Sequence, residues 1–216
     1  MHLADGLLGP ATYATAWAVA VPLWAWAVRR SARQLNEATV PHLGVLTGLA
    51  FALSAVAIPL PGGTSGHLLG VALLALTFGI APAFVAISLV LALQALLFGA
   101  GGLLALPVGA LATGGVGAVV AVTVHRALRA WHEDAAVAVA SWASVVLAAT
   151  VIALVLGAQP HLATTAAGDP LFFPFGPEIT LPAIVGPHLL VGVGEALLTA
   201  GVLRLLQRRR RLGAVP

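Results

Sequence analysis

The chain has 216 residues, 60% of them hydrophobic and only 8% charged, with a formal net charge of +3. Soluble domains carry about 25% charged residues, so this composition excludes a soluble globular protein and indicates an integral membrane protein, read as one domain over 1–216. No Cys is present, which excludes disulfides and thiolate ligands and leaves nitrogen or oxygen to hold any metal.

The first six residues, Met1-His2-Leu3-Ala4-Asp5-Gly6, are not part of an apolar run. They place a free amine, a peptide N–H and an imidazole within two residues. The Met1 amine and the His2 amide nitrogen close a five-membered chelate ring, and that amide with His2 Nδ1 closes a six-membered one. A fourth nitrogen would complete a square plane, the geometry that suits Ni(II) and Cu(II). His67, at the end of Pro61-Gly62-Gly63-Thr64-Ser65-Gly66-His67, is the candidate for it. The bland alternative is a frayed terminus. The start lacks the positive region of a secretory signal, so Met1 is expected to stay in place.

A membrane span needs roughly 20 apolar residues, and seven spans are predicted. The first runs from about Pro10 to Val28 and stops at Arg29-Arg30 and Arg33. The second covers about Pro41 to Leu60, and the third His67 to Ile80. Ala81-Pro82 separates it from the fourth, which reaches Phe98 before the loop Gly99-Ala100-Gly101-Gly102. The fifth runs from about Pro107 to Val124, ending at His125-Arg126, and the sixth from about Ala135 to Leu156. A Pro- and Gly-rich loop, Gly157 to Thr180, leads to the seventh, about Leu181 to Leu203, with Pro182 in its first turn. Arg204 and Arg208 to Arg211 close it.

All ten basic residues are Arg, and they fall after spans one, five and seven. With the N-terminus outside and the C-terminus cytoplasmic, all three groups face the cytoplasm, as the positive-inside rule requires. They report topology and contact with anionic headgroups of the lipid bilayer rather than nucleic-acid binding. The same topology puts His2 and His67 on one side, the outside. Pro61-Gly62-Gly63 supplies a tight turn before His67, and Gly66 with Gly70 forms a G-x-x-x-G pair suited to close backbone approach.

Other polar residues divide into structural and functional readings. Glu195 lies mid-span in the seventh helix, where a carboxylate is a functional candidate by default, with His188 seven residues earlier. Gln94 reads as an interhelical hydrogen bond. His42, His125 and His132 flank spans and read as solvated, while His161 shares the outer loop with Asp169 and Glu178. Asp5 could orient the His2 imidazole or cap a helix start. Ala16 and Ala20, or Ala14 and Ala18, form small-residue faces on the first span. No nucleotide-binding or hydrolase motif is present, so uphill movement of a metal would need energy from a partner.

Met1 to Gly6, Pro61 to Gly70, Gln94 to Phe98 with Gly101-Gly102, and His188 through Glu195 together resemble the CbiM/NikM family. These are the membrane substrate-capture subunits of energy-coupling-factor transporters for nickel and cobalt. The resemblance spans nearly the whole chain. It implies that Met1, His2 and His67 hold the metal, which is transported substrate, and that no organic cofactor is bound. It also implies that this chain is not itself an enzyme. Its expected partners are a transmembrane coupling subunit and cytoplasmic ATPase subunits, with a small accessory membrane subunit as a further candidate. It places the chain in the cell membrane. The Gly-Gly-Thr-Ser-Gly-His form is more similar to the nickel branch than to the Ser-rich, His-Pro form of the cobalt branch. One departure is clear. The family's Asn-containing stretch after the paired glycines is replaced here by Leu104-Ala105-Leu106-Pro107-Val108-Gly109-Ala110. The alternative from another class is an intramembrane metalloenzyme using His67, His188 and Glu195, which would need an open coordination position and a general base.

Overall fold

The computed structural model describes residues 2–60 and 64–211. Met1 and Pro61-Gly62-Gly63 therefore lie outside the described residues. The described residues are mostly helical, with one short antiparallel strand pair among them. Among the described residues, five helical segments are long and apolar enough to cross a membrane: Pro10–Gln34, Ile80–Phe98, Leu106–Leu128, Glu133–Leu162 and Pro177–Arg208. The other two predicted spans take different forms. The second is α2 (Thr39–Ser54), with 16 residues. The third is α3 (Val71–Phe78), only eight residues and so about 12 Å long.

The reason lies in what precedes α3. Residues 58–60 and 64–66 are extended, pairing β1 (Ile58–Leu60) with β2 (Thr64–Gly66), Ile58 opposite Gly66 and Pro59 opposite Ser65. Helix α3 starts only after Gly70, whose φ of 63° turns the chain into it. The G-x-x-x-G pair is thus not on a helix. A Cβ on Gly66 would lie 2.6 Å from Val191 Cγ2, so its smallness lets the strand lie against the last helix.

Helix α1 (Pro10–Gln34) buries Ala16 and Ala20 and leaves Ala14 and Ala18 outward, which selects between the two small-residue faces. Helix α4 (Ile80–Phe98) follows α3 across Gly79. A short α5 (Leu106–Gly109) continues through a π-helical stretch, Ala110–Val116, into α6 (Gly117–Leu128). Then come α7 (Glu133–Gly157) and a single turn, α8 (Gln159–Leu162). The last helix, α9 (Pro177–Arg211), begins early enough that Pro182 and Pro187 both lie inside it rather than in its first turn.

The core forms in two clusters. One joins α3, α4 and α6 around Leu73, Leu74, Ile87 and Val90. The other joins α7 to the N-terminal segment around Leu3, Leu8, Ile152 and Leu156. The arginines gather at one end. Arg30, Arg126 and Arg129 line one pocket of about 440 Å³, and Arg204 bridges to Asp134 at 2.8 Å.

Candidate metal centre

The N-terminal segment is docked, not frayed. Leu3 and Leu8 are buried, each stabilising the segment by about 2 kcal/mol relative to exposure to water. Residues Asp5–Leu7 make a single 3₁₀ turn. Gly102 donates its N–H to the Leu3 carbonyl at 2.7 Å, and Phe173 donates to the Leu7 carbonyl at 3.3 Å. Gln159 Oε1 accepts from the Gly9 N–H at 2.9 Å and the Thr12 hydroxyl at 3.2 Å.

Asp5 neither orients His2 nor caps the 3₁₀ turn with its side chain. Its carboxylate accepts the Ala105 N–H at 2.9 Å and ties the segment to the loop after α4. A Cβ on Gly102 would overlap that carboxylate, and one on Gly101 would lie 3.4 Å from His2 Cβ. The paired glycines are a seat for residues 2–5. In this chain the Ala105 and Gly102 amides supply the hydrogen bonds that hold the terminus, in a loop without Asn.

Docking brings two imidazoles together. The His2 and His67 rings stand edge to face, centroids 4.7 Å apart at 86°. A hydrogen-bond circuit links them. Ser54, the last residue of α2, gives its hydroxyl proton to the Phe51 carbonyl at 3.0 Å. Its Oγ must therefore accept from Gln94 Nε2, at 2.8 Å. That fixes the Gln94 amide so that Oε1 faces His2 Nε2 at 2.9 Å, and His2 Nε2 must carry the proton. Nδ1 of His2 is left with its lone pair, the nitrogen that the six-membered chelate ring requires. On the other side, His67 Nδ1 donates to the Ser54 carbonyl at 2.7 Å. Its Nε2 lone pair then accepts from the Ser65 hydroxyl at 3.1 Å. Ring nitrogens held by a carbonyl or amide oxygen, with the other nitrogen free to bind, are the usual second layer of a metal site.

Burial lowers the pKa of His2 below its ordinary value of 6.5, so that ring is neutral near pH 7. Among the described residues, no group of three or more His, Asp and Glu side chains converges. Any four-nitrogen set must draw on the terminal backbone.

Glu195 and His188 are placed differently. Glu195 is 1% exposed, and its carboxylate accepts the N–H of Leu69 and, at 3.0 Å, that of Gly70. It thus holds the start of α3, satisfying N–H groups that a helix leaves without partners. A carboxylate occupied in this way is not a free general base. His188 is buried, with Nδ1 on the Ile184 carbonyl at 2.7 Å. His42, His132 and His161 are exposed and far from this circuit, and His125 pairs with Glu133 at 2.8 Å. Gln94 and Ser54 are the residues whose part in the site sequence reading missed. Gln94 does make an interhelical bond, to Ser54, but its other end sets the His2 tautomer.

A family model described as the cobalt uptake substrate-specific transmembrane region, CbiM, matches residues 2–212. The chain belongs to the CbiM family. It is 39% identical over 96% of its length to the probable fused nickel transport protein LarMN of Lactiplantibacillus plantarum, covering 65% of that protein. It is 34% identical to the fused nickel transport protein NikMN of Rhodobacter capsulatus, again over 96% of this chain and covering 62% of the relative. The chain thus spans under two thirds of these relatives. A solved structure of a truncated transition metal transporter superposes with a TM-score of 0.92 at 33% identity, covering 97% of this chain and 99% of the other. The CbiM family is a metal transport family, not an enzyme family, and this member is a multi-pass membrane protein.

Proposed function

We propose that this CbiM-family chain captures Ni(II), with Co(II) as the lesser substrate, at the outer face of the cell membrane for ATP-driven uptake. The ligands are the Met1 amine, the His2 amide nitrogen and Nδ1, and His67 Nε2. Ser65 would release its hydrogen bond to His67 as the metal enters. One observation carries this reading: the Gln94 amide holds His2 in the tautomer whose Nδ1 lone pair is free, 4.7 Å from ring centre to ring centre of His67. A square plane of four nitrogens leaves no in-plane position for substrate activation, and Glu195 is committed to α3, so capture is favoured over intramembrane catalysis.

The arginines at one bundle end support a cytoplasmic assignment of that end. Seven crossings, counting α2 and the β2–α3 stretch, then leave the N-terminus outside and the C-terminus inside. Energy would come from cytoplasmic ATPase subunits through a transmembrane coupling subunit. A small accessory membrane subunit is a further candidate partner.

The test is titration calorimetry of purified protein with Ni(II). Removing His67 as His67→Ala should cost at least about a hundredfold in affinity, by loss of one of four ligands. Inserting one Ala between Met1 and His2 creates a terminus whose amine, two amides and imidazole fill a square plane alone. That variant should bind Ni(II) with or without His67, yet fail to support uptake in cells holding the partner subunits. Dependence on His67 in the inserted background, or normal uptake by it, overturns the ligand set.

A further inference from the structure

A third histidine, with a free nitrogen, lies beside the proposed site and its two imidazoles. His188 is 2% exposed, and its Nδ1 donates to the Ile184 carbonyl at 2.7 Å. That leaves Nε2 as the lone-pair nitrogen, and among the described residues it has no hydrogen-bond partner although it is fully buried. A buried acceptor without a partner is uncommon and costs about 1–3 kcal/mol. The ring is locked by a carbonyl with the opposite nitrogen presented, the same arrangement that holds His67 by Ser54.

The space next to it is not a packing defect. His188 and His2 both line a cavity of about 550 Å³, with Ser65 at its wall. A divalent ion with six waters needs roughly 180 Å³ at about 30 Å³ per water, so the cavity admits it hydrated. Phe173 and Phe175, from the loop before α9, line the same cavity, as do Ile179 and Ile184 along the helix. From Ile179 to His188 the helix descends about 14 Å. The cavity therefore extends from that loop to His2, along the half of α9 remote from the arginines. Pro187 has no N–H, so the Ala183 carbonyl, on a residue lining this cavity, lacks its helical partner and is a further oxygen acceptor.

We propose that this cavity is the access vestibule for the metal and that His188 Nε2 is a transient ligand within it. The hydrated ion exchanges one water for His188 Nε2, then moves to His2 Nδ1 and the terminal nitrogens, and finally to His67. Transfer to and from His188 makes and breaks only metal–water and metal–nitrogen bonds, and at the terminus the Met1 amine and the His2 amide each also give up a proton to water. His188 serves the rate of capture. This rests on the reading of His2 and His67 as the metal site.

Stopped-flow mixing of the full-length protein with Ni(II) tests it, with calorimetry giving the stoichiometry. The expected result is an association rate reduced at least tenfold in both His188→Ala and His188→Gln, with one ion still bound per chain. Ala183→Trp, which fills the cavity without touching a ligand, should also slow association. Should His188→Ala fail to fold, the Gln variant retains the side-chain bulk and decides. Parent-like association in His188→Gln overturns the proposal, even if Ala183→Trp is slow. Lost stoichiometry in His188→Gln overturns it too, because that marks a structural role. A parent protein that binds no metal would instead defeat the site reading itself.

Discussion

Gln94 decides which nitrogen of His2 keeps its lone pair. Its Oε1 accepts from His2 Nε2 at 2.9 Å, while its Nε2 is held by Ser54 Oγ at 2.8 Å, so the amide cannot flip without losing both bonds. Gln94→Leu should therefore lower Ni(II) affinity by about 10- to 100-fold, the range typical of outer-layer partners of metal-bound histidines. Gln94→Glu keeps an acceptor facing His2 and should retain more of the affinity. Equal affinity of parent and Leu variant in calorimetry would remove Gln94 from the site.

Gly102→Ala should unseat the terminus. The added Cβ has no room beside the Asp5 carboxylate, so either the Asp5–Ala105 bond or the Leu3–Gly102 bond must break. The expected outcome is at least a tenfold loss of Ni(II) affinity. Gly6→Ala is the control, because a Cβ there meets nothing within 4 Å, and it should bind like the parent.

Glu195→Ala leaves the Leu69 and Gly70 N–H groups buried without an acceptor. At about 1–3 kcal/mol per abandoned group, the loss should be about 2–6 kcal/mol, visible as a lowered Tm in detergent. Glu195→Gln retains one acceptor oxygen and should fall between the two. If the Ala variant melts like the parent, Glu195 is not the anchor of α3.

The pH dependence of the metal-free protein follows from His2. Burial lowers the pKa of its imidazole below the ordinary value of 6.5. Below that value the unfolded chain binds a proton that the folded chain gives up. Stability is thus fully present above about pH 6.5 and falls as pH drops below it. The Tm should drop there in the parent and less in His2→Gln. Because the His2 imidazole is already neutral at pH 7, Ni(II) binding there should release about two protons, one each from the Met1 amine and the His2 amide. Calorimetry in buffers of different ionisation enthalpy counts them, and a value near zero would exclude the terminal nitrogens.

Much of the fold was legible because a lipid environment leaves a coarse imprint. Long apolar runs bounded by Arg29-Arg30, by Arg126 and by Arg204 read directly as helices. The third span was misjudged because composition does not distinguish the extended, buried residues before Gly70 from the helix after it. Glu195 was recognised as special, but its partners are the backbone amides of Leu69 and Gly70, 126 and 125 residues away, and backbone amides leave no mark in a sequence.

The sequence by itself determined the membrane setting and the spacing of the nitrogens in Met1-His2. The spacing of amine, amide and imidazole in Met1-His2 is set by covalent bonds and needs no fold. Only the tertiary structure decided that His2 meets His67, that Gln94 and Ser54 set both tautomers, and that Gly101-Gly102 seats the segment. Gln94 is 92 residues from His2, and no local pattern encodes such a contact. It forms because burying Leu3 and Leu8 carries the terminus into the bundle, and a buried imidazole must then find its hydrogen-bond partners there.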